Sequence, residues 1–302
     1  MPAPWHSGRT HGPRVMRPWE WAFPPRGEHL EVIAAQPATD HGHPPILFVP
    51  GLGHGAWCYA EHWLGATAER GYPAYAMSFR GHGGSGGHTR LGRATTRTYL
   101  HDLMQVIASL PAPPVLVAHS MAALPARLAL ARYPAPAGVL LAPVPAGGLR
   151  QSLTNQFRRR PAATMRTLVG GTAEFTAVDL FADLDAATAA RHLSRLGRES
   201  PLAQYELMVP HRIEPIDSPV LVVGAEADRV LAPADLDRAA AELHTSAVMV
   251  PGGHDMMLDR SWGEVLTTVL DWIDLHGTAA GAALPGATKL PPVAQALEGR
   301  PP

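Results

Sequence analysis

Short apolar runs recur along the chain: Ile46 to Val49, Ala74 to Phe79, Val115 to Ala118, Gly138 to Pro143, Pro219 to Gly224 and Ala247 to Val250. Most show no polar alternation, which is the pattern of a strand covered on both faces. Stretches of helical character separate them. Strands alternating with helices specify an α/β protein with a mostly parallel central sheet flanked by helices. In such sheets the binding crevice lies outside the carboxyl ends of the strands, so the chemistry is to be sought in the residues that follow each run.

The intervening helices are predicted at Trp57 to Arg70, ended by Gly71, and at Thr96 to Leu110. The second carries an apolar stripe of Leu100, Leu103, Met104, Ile107 and Leu110, which makes Met104 a core residue. Others follow at Met121 to Tyr133, stopping at Pro134, at Pro233 to Leu243 and at Trp262 to His276. Trp19 to Phe23 alternates apolar and polar residues and, with Leu30 to Ala35, predicts an opening antiparallel pair.

Residues 1–17 and 277–302 are rich in Pro and Gly and are expected to be disordered, leaving 18–143 and 218–276 as the core. Between the fourth and fifth runs lies Val144 to Asp217, far longer than an ordinary crossover. Its stretches Thr154 to Val169, Phe175 to Leu196 and Pro201 to Val209 read as helical, and such an insertion is expected to form a cap over the strand ends.

Composition excludes several classes. A formal net charge of −1 over 302 residues leaves no footprint for nucleic acid or an acidic membrane, and no apolar run reaches membrane-spanning length. The sole lysine, Lys289, rules out a Walker-type phosphate loop and a Schiff-base lysine in the core. The single Cys58 allows neither an internal disulfide nor a cysteine-rich zinc site, and beside Trp57 it reads as a small packed hydrophobe. Without a signal-peptide pattern the expected compartment is the cytoplasm. His41 and His43 lack a third nearby ligand and read as a solvated turn. The turn RGHGGSGGH, with His82 and Ser85, reads as a tight loop near the mouth of the site.

The strand ends supply four groups. After Val49 comes PGLGHGAW, whose Gly51, Gly53 and Gly55 allow backbone N–H groups to turn into a cavity; it lacks the dinucleotide spacing and suits an oxyanion. After Val117 comes Ser120 in Ala-His-Ser-Met-Ala, a strand-to-helix bend with Ala118 and Ala122 where a G-x-S-x-G motif has glycines. After Val223 comes GAEADRV with Asp228, and after Val250 comes PGGHDMM with His254. A serine hydroxyl needs a neutral imidazole to take its proton, and the imidazole needs a carboxylate on its other nitrogen. Ser120, His254 and Asp228 are therefore the expected nucleophile, base and orienting acid. Asp228 is preferred to Asp255, which adjoins His254, with Glu226 as the next candidate.

These residues resemble the α/β-hydrolase superfamily from Trp19 to His276. PGLGHGAW is similar to the His-Gly-x-x-His-Gly-Ala-Trp stretch of the branch holding plant-type methyl esterases and hydroxynitrile lyases, with Pro50 where histidine is usual. Ser78 stands where an aspartate is usual before RGHGGS. The resemblance implies the N–H groups of Leu52 and Met121 as oxyanion donors and two-step acyl transfer on an uncharged or weakly polar carboxylic ester, with no metal or organic cofactor. A cyanohydrin lyase would need a cap lysine and a threonine at Gly51; a hydrolase-like binding protein is the other alternative. Arg158, Arg159 and Arg160 read first as a solvated helix face, with recognition of an anionic substrate as the testable alternative. Pro125, one turn into the helix after Ser120, has no functional account at this level.

Overall fold

The computed structural model of the chain describes residues 27–133 and 135–277. The expected strand at Trp19 to Phe23, the segment 1–17, Pro134 and the tail beyond Gly277 lie outside the described residues. Among the described residues one sheet runs in the order β1-β3-β2-β4-β5-β6-β7. Its strands are β1 (Val32–Ala35), β2 (Ile46–Val49), β3 (Ala74–Met77), β4 (Val115–His119), β5 (Gly138–Leu141), β6 (Val220–Ala225) and β7 (Ala247–Val250). Only β1 is antiparallel, paired with β3; the rest are parallel.

The unbroken apolar runs are explained by coverage on both faces. Successive residues of β2 and β4 enter different cores: Ile46, Phe48, Val115 and Val117 pack with Trp63 and Val269, while Leu47, Val49, Leu116 and Ala118 pack with Leu103 and Leu124. The first core is closed by α2 (Trp63–Glu69) and α11 (Trp262–His276), the second by α3 (Thr96–Ser109) and α4 (Ala123–Leu130). Register then aligns the strand ends, because Val49 pairs with Ala118, His119 with Leu141, Leu141 with Val223, and Ala225 with Val250. The loops after β2, β4, β6 and β7 thus emerge along one edge.

Three expected helices are divided. Trp57 to Arg70 becomes α1 (Trp57–Ala60) and α2, because His62, at φ −139° and ψ −48°, leaves the helical region and its ring stacks on Trp262 at 4.8 Å. Thr154 to Val169 becomes α5 (Gln151–Arg159) and α6 (Pro161–Leu168), broken at Arg160, with φ −144° and ψ 70°. Proline disfavours the helical region for the residue before it and suits the first helical position, so Pro161 both ends one helix and starts the next. Phe175 to Leu196 becomes α7 (Ala177–Leu180) and α8 (Ala186–Leu193), each with its own cap: a Thr176–Asp179 capping box, and Asp185 accepting from the N–H groups of Ala187 and Thr188. With α9 (Pro201–Glu206) these elements fill the insertion between β5 and β6, after which α10 (Pro233–Ala241) follows β6.

Pro125 sits in the first turn of α4, where backbone N–H groups have no helical carbonyl to meet, so it is accommodated without a break. Leu116→Ala is expected to destabilise the fold by about 2–5 kcal/mol, since the residue is fully buried at the sheet's centre. Val248→Ala, at a site 40% exposed on the edge strand β7, should remain within about 0.5 kcal/mol. Chemical denaturation of both variants measures the contrast.

Candidate active site

Ser120 follows β4 without an intervening residue and opens a 3₁₀ turn, Ser120–Ala122, that leads into α4. Its φ of +51° is in the left-handed region, unusual for a residue with a side chain and worth about 1–3 kcal/mol of strain. Packing holds it there. Ala118 and Ala122 are fully buried, and Gly51, in the loop after β2, lies so close that a Cβ on it would come within 2.8 Å of His119 Nδ1 and 3.1 Å of Ser120 Cβ. Glycine at 51 and small residues on either side of the serine are thus one steric requirement.

The loop after β7 brings His254 to the serine. His254 Nε2 lies 2.9 Å from Ser120 Oγ, and its Nδ1 lies 2.8 Å from Asp228 Oδ2. Asp228 is fixed in turn, its Oδ1 accepting from the N–H groups of Val230 and Leu231, both at 2.8 Å. Asp255 points elsewhere, to His54 at 2.9 Å, and Glu226 is exposed. The His254 loop is anchored by buried Asp259, which accepts from the N–H groups of Gly253, Ala182 and Asp183 at 2.7, 2.8 and 3.2 Å. Burial pushes the His254 imidazolium down, but the charge and hydrogen bond of Asp228, with the charge of Asp255, outweigh it and raise its pKa above the ordinary histidine value.

Residues 46–268 match the model of the alpha/beta hydrolase family. The chain belongs to that family. Solved structures sharing the fold include the Mycobacterium tuberculosis protein Rv0554, at TM-score 0.63 and 20% identity over 82% of this chain and 94% of that one. A monoacylglycerol lipase of Paleococcus ferrophilus superposes at 0.61 and 16% identity, over 83% of this chain and 100% of the other. The enol-lactonase of Burkholderia xenovorans LB400 gives 0.61 and 16%, over 82% and 98%. No curated protein sequence matches the chain.

In this α/β hydrolase the serine at position 78 has a structural counterpart to a carboxylate. Ser78 Oγ accepts the N–H of Ala56 at 2.8 Å, at the start of α1, and donates to Glu31 Oε2 at 2.5 Å. The arginine cluster does not face the site. Arg160 pairs with Asp179 at 2.9 Å, Arg159 donates to the Arg229 carbonyl at 3.0 Å, and none of Arg158, Arg159 and Arg160 lines the cavity at Ser120. That placement agrees with a solvated helix face and does not support the alternative of anion recognition at Ser120. Cys58 is buried and burial pushes its thiol up, in keeping with a packed small side chain.

Sequence reasoning missed His119 and the role of His54. His119 is fully enclosed; burial, then the charge of His254, lower its pKa to about 3, so it is neutral. Its Nε2 donates to the His254 carbonyl at 3.0 Å, which leaves Nδ1 a bare acceptor facing Gly51. His119, His254 and Asp255 also bring one possible metal-ligand atom each within 4.8 Å of one another. Since both nitrogens of His254 are already hydrogen-bonded, an ion there would dismantle the link to Ser120 or to Asp228.

Above Ser120 and His254 is a cavity of about 130 Å³, lined largely by apolar groups such as Leu52, Leu153, Phe175 and Leu207. A larger hollow of about 470 Å³ adjoins it across Leu52 and Phe175. The insertion contributes most of both linings. Because Asp228 is the chief group raising the pKa of His254, Asp228→Asn should move its imidazole titration to lower pH, toward or below the ordinary 6.5. Proton-detected NMR of the ring across pH 4 to 9 reads that shift directly.

Proposed function

We propose that this α/β hydrolase is a serine hydrolase cleaving small to medium carboxylic esters through an acyl-enzyme. The observation that carries the reading is the unbroken hydrogen-bond chain Ser120–His254–Asp228 at the floor of an apolar cavity. In the first step His254 Nε2 accepts the Ser120 proton as Oγ attacks the ester carbonyl, and Asp228 stabilises the imidazolium that forms. His254 then protonates the departing alkoxide. In the second step it takes a proton from the water that attacks the acyl carbonyl, then delivers that proton to Ser120 Oγ as the acyl–Oγ bond breaks and the acid is released.

The developing oxyanion would be met by the N–H groups of Leu52 and Met121. Met121 is the second residue of its helical turn, so its N–H has no carbonyl within the turn to meet. Leu52 lines the same cavity as Ser120 and follows Gly51, which packs directly on the serine. The lipase and the lactonase that share the fold are named for substrates with carboxylic ester bonds, which supports the same bond class here. The lyase alternative loses support from the structure as it does from the sequence, since the insertion holds no lysine and position 51 admits only glycine.

The volume above Ser120 favours short acyl chains. Hydrolysis of p-nitrophenyl esters should peak between acetate and hexanoate, with palmitate at least about tenfold slower. Ser120→Ala should lower kcat/KM by about 10³-fold or more and abolish labelling by a fluorophosphonate. Wild-type protein that neither turns over any ester nor takes the label would move the assignment to a ligand-binding protein.

A further inference from the structure

The Leu52–Gly53 peptide is gripped at both ends by buried histidine–carboxylate pairs that the mechanism above does not use. Its carbonyl accepts from His54 Nδ1 at 2.9 Å, and His54 Nε2 faces Asp255 at 2.9 Å, next to His254 in the chain. Its N–H donates to Glu199 Oε2 at 3.3 Å. Glu199 belongs to the insertion, and the same strip of chain donates the Gly197 N–H to the Gly53 carbonyl at 2.8 Å. Gly53 has φ +73°, and a Cβ there would lie 3.0 Å from the Gly197 carbonyl oxygen. Two successive peptides of the loop are therefore docked on residues 197–199.

Glu199 is itself tightly held. It is 2% exposed; Oε1 accepts from the Tyr99 hydroxyl and, at 2.6 Å, from the Ser200 N–H, while Oε2 lies 3.3 Å from His82 Nε2. His82 Nδ1 faces the Arg80 carbonyl at 3.1 Å, while its Nε2 stands at ion-pair distance from Glu199 without an aligned hydrogen bond. Burial disfavours charge on each partner, but the pairing prevails, raising the pKa of His82 and lowering that of Glu199. Arg80, the nearest other cation on that loop, is bound to Asp102 at 2.6 Å.

We propose that Glu199, backed by His82, is a positioning residue that holds the Leu52–Gly53 peptide, and so aims the Leu52 N–H at the reacting carbonyl oxygen. The proposal rests on the serine-hydrolase reading. On the near side of Leu52, Gly51 is locked against Ser120; on the far side, the peptide is clamped between Glu199 and His54. Leu52 has little rotation left. The insertion then does more than roof the cavity: through Glu199 it completes the oxyanion-binding loop, and an undocked insertion leaves the donor misdirected. A donor displaced by about 1 Å loses on the order of 10²-fold in rate.

The experiment compares wild type with Glu199→Gln, Glu199→Ala and His82→Gln. Three readouts are used: kcat per active site titrated with a fluorophosphonate, KM for p-nitrophenyl acetate, and the inhibition constant of a short alkylboronic acid. The boronate forms a tetrahedral adduct on Ser120 and places an oxygen where the oxyanion would sit. The expected result is a fall in kcat of about 10- to 100-fold in the Glu199 variants, an equal weakening of boronate inhibition, and a KM within about threefold of wild type. Glu199→Gln should retain more activity than Glu199→Ala, and His82→Gln should fall between it and wild type.

Folded variants with unchanged kcat per titrated site and unchanged boronate affinity would overturn the proposal and leave Glu199 as a stabilising contact. If the Glu199 variants do not fold, His82→Gln carries the same comparison. Wild type that is labelled without ester turnover shifts the comparison to labelling rates, which should fall by the same factor. Wild type inert to label and ester overturns the serine-hydrolase reading and this proposal with it, a result distinguishable from normal wild-type turnover with indifferent variants.

Discussion

The left-handed backbone at Ser120 is the constraint on which the site depends. A serine in that conformation is unfavourable by itself and survives because its surroundings leave no other arrangement: the strand before it is buried on both faces, the flanking positions are alanine, and Gly51 closes the remaining space. The strain is maintained by the stability of the whole sheet. What results is a hydroxyl lifted out of the sheet edge at the start of a helical turn, where strand register has already delivered the loops bearing Asp228 and His254.

Among the buried histidines of the described residues, His54, His82, His119 and His254 connect to the serine or its loops and are treated differently. His119, with no carboxylate in hydrogen-bonding reach, is neutral and serves as a donor to the His254 carbonyl. His254 and His82 face carboxylates, which raise their pKa against the opposing effect of burial. The balance between burial and the nearest carboxylate thus sets the direction of each shift: Asp228 and Glu199 outweigh burial at His254 and His82, whereas at His119 burial prevails over Asp255, 4.0 Å away. The same three carboxylates tie together the loop after β2, the loop after β7 and the insertion.

Much of this was legible in the chain. The apolar runs gave the strands because burial on both faces erases alternation, and their order placed Ser120, Asp228 and His254 at the ends of β4, β6 and β7. Helix boundaries were less legible: His62 breaks a helix through a backbone conformation that no composition rule marks, whereas Pro161 was a signal that the apolar pattern on either side concealed. Glu199 and His82 could not have been found by local reading. They are 117 positions apart in sequence (199 − 82), and only the docking of the insertion brings them within 3.3 Å. For Arg158 to Arg160 the sequence left two readings, because adjacency says nothing about direction; Arg160 turns to Asp179 on its own insertion and none of the three lines the cavity.

The pair formed by Ser78 and Glu31 shows how a carboxylate can act at a position that does not carry it. Glu31, in the segment before β1, accepts from the Ser78 hydroxyl, which in turn accepts the N–H of Ala56. Gly83 belongs to the same arrangement, because a Cβ there would lie 2.3 Å from Glu31 Oε2. Positions 31, 78 and 83 are therefore coupled within this chain: an aspartate at 78 would meet a second carboxylate already in its place, and any side chain at 83 would push that carboxylate out.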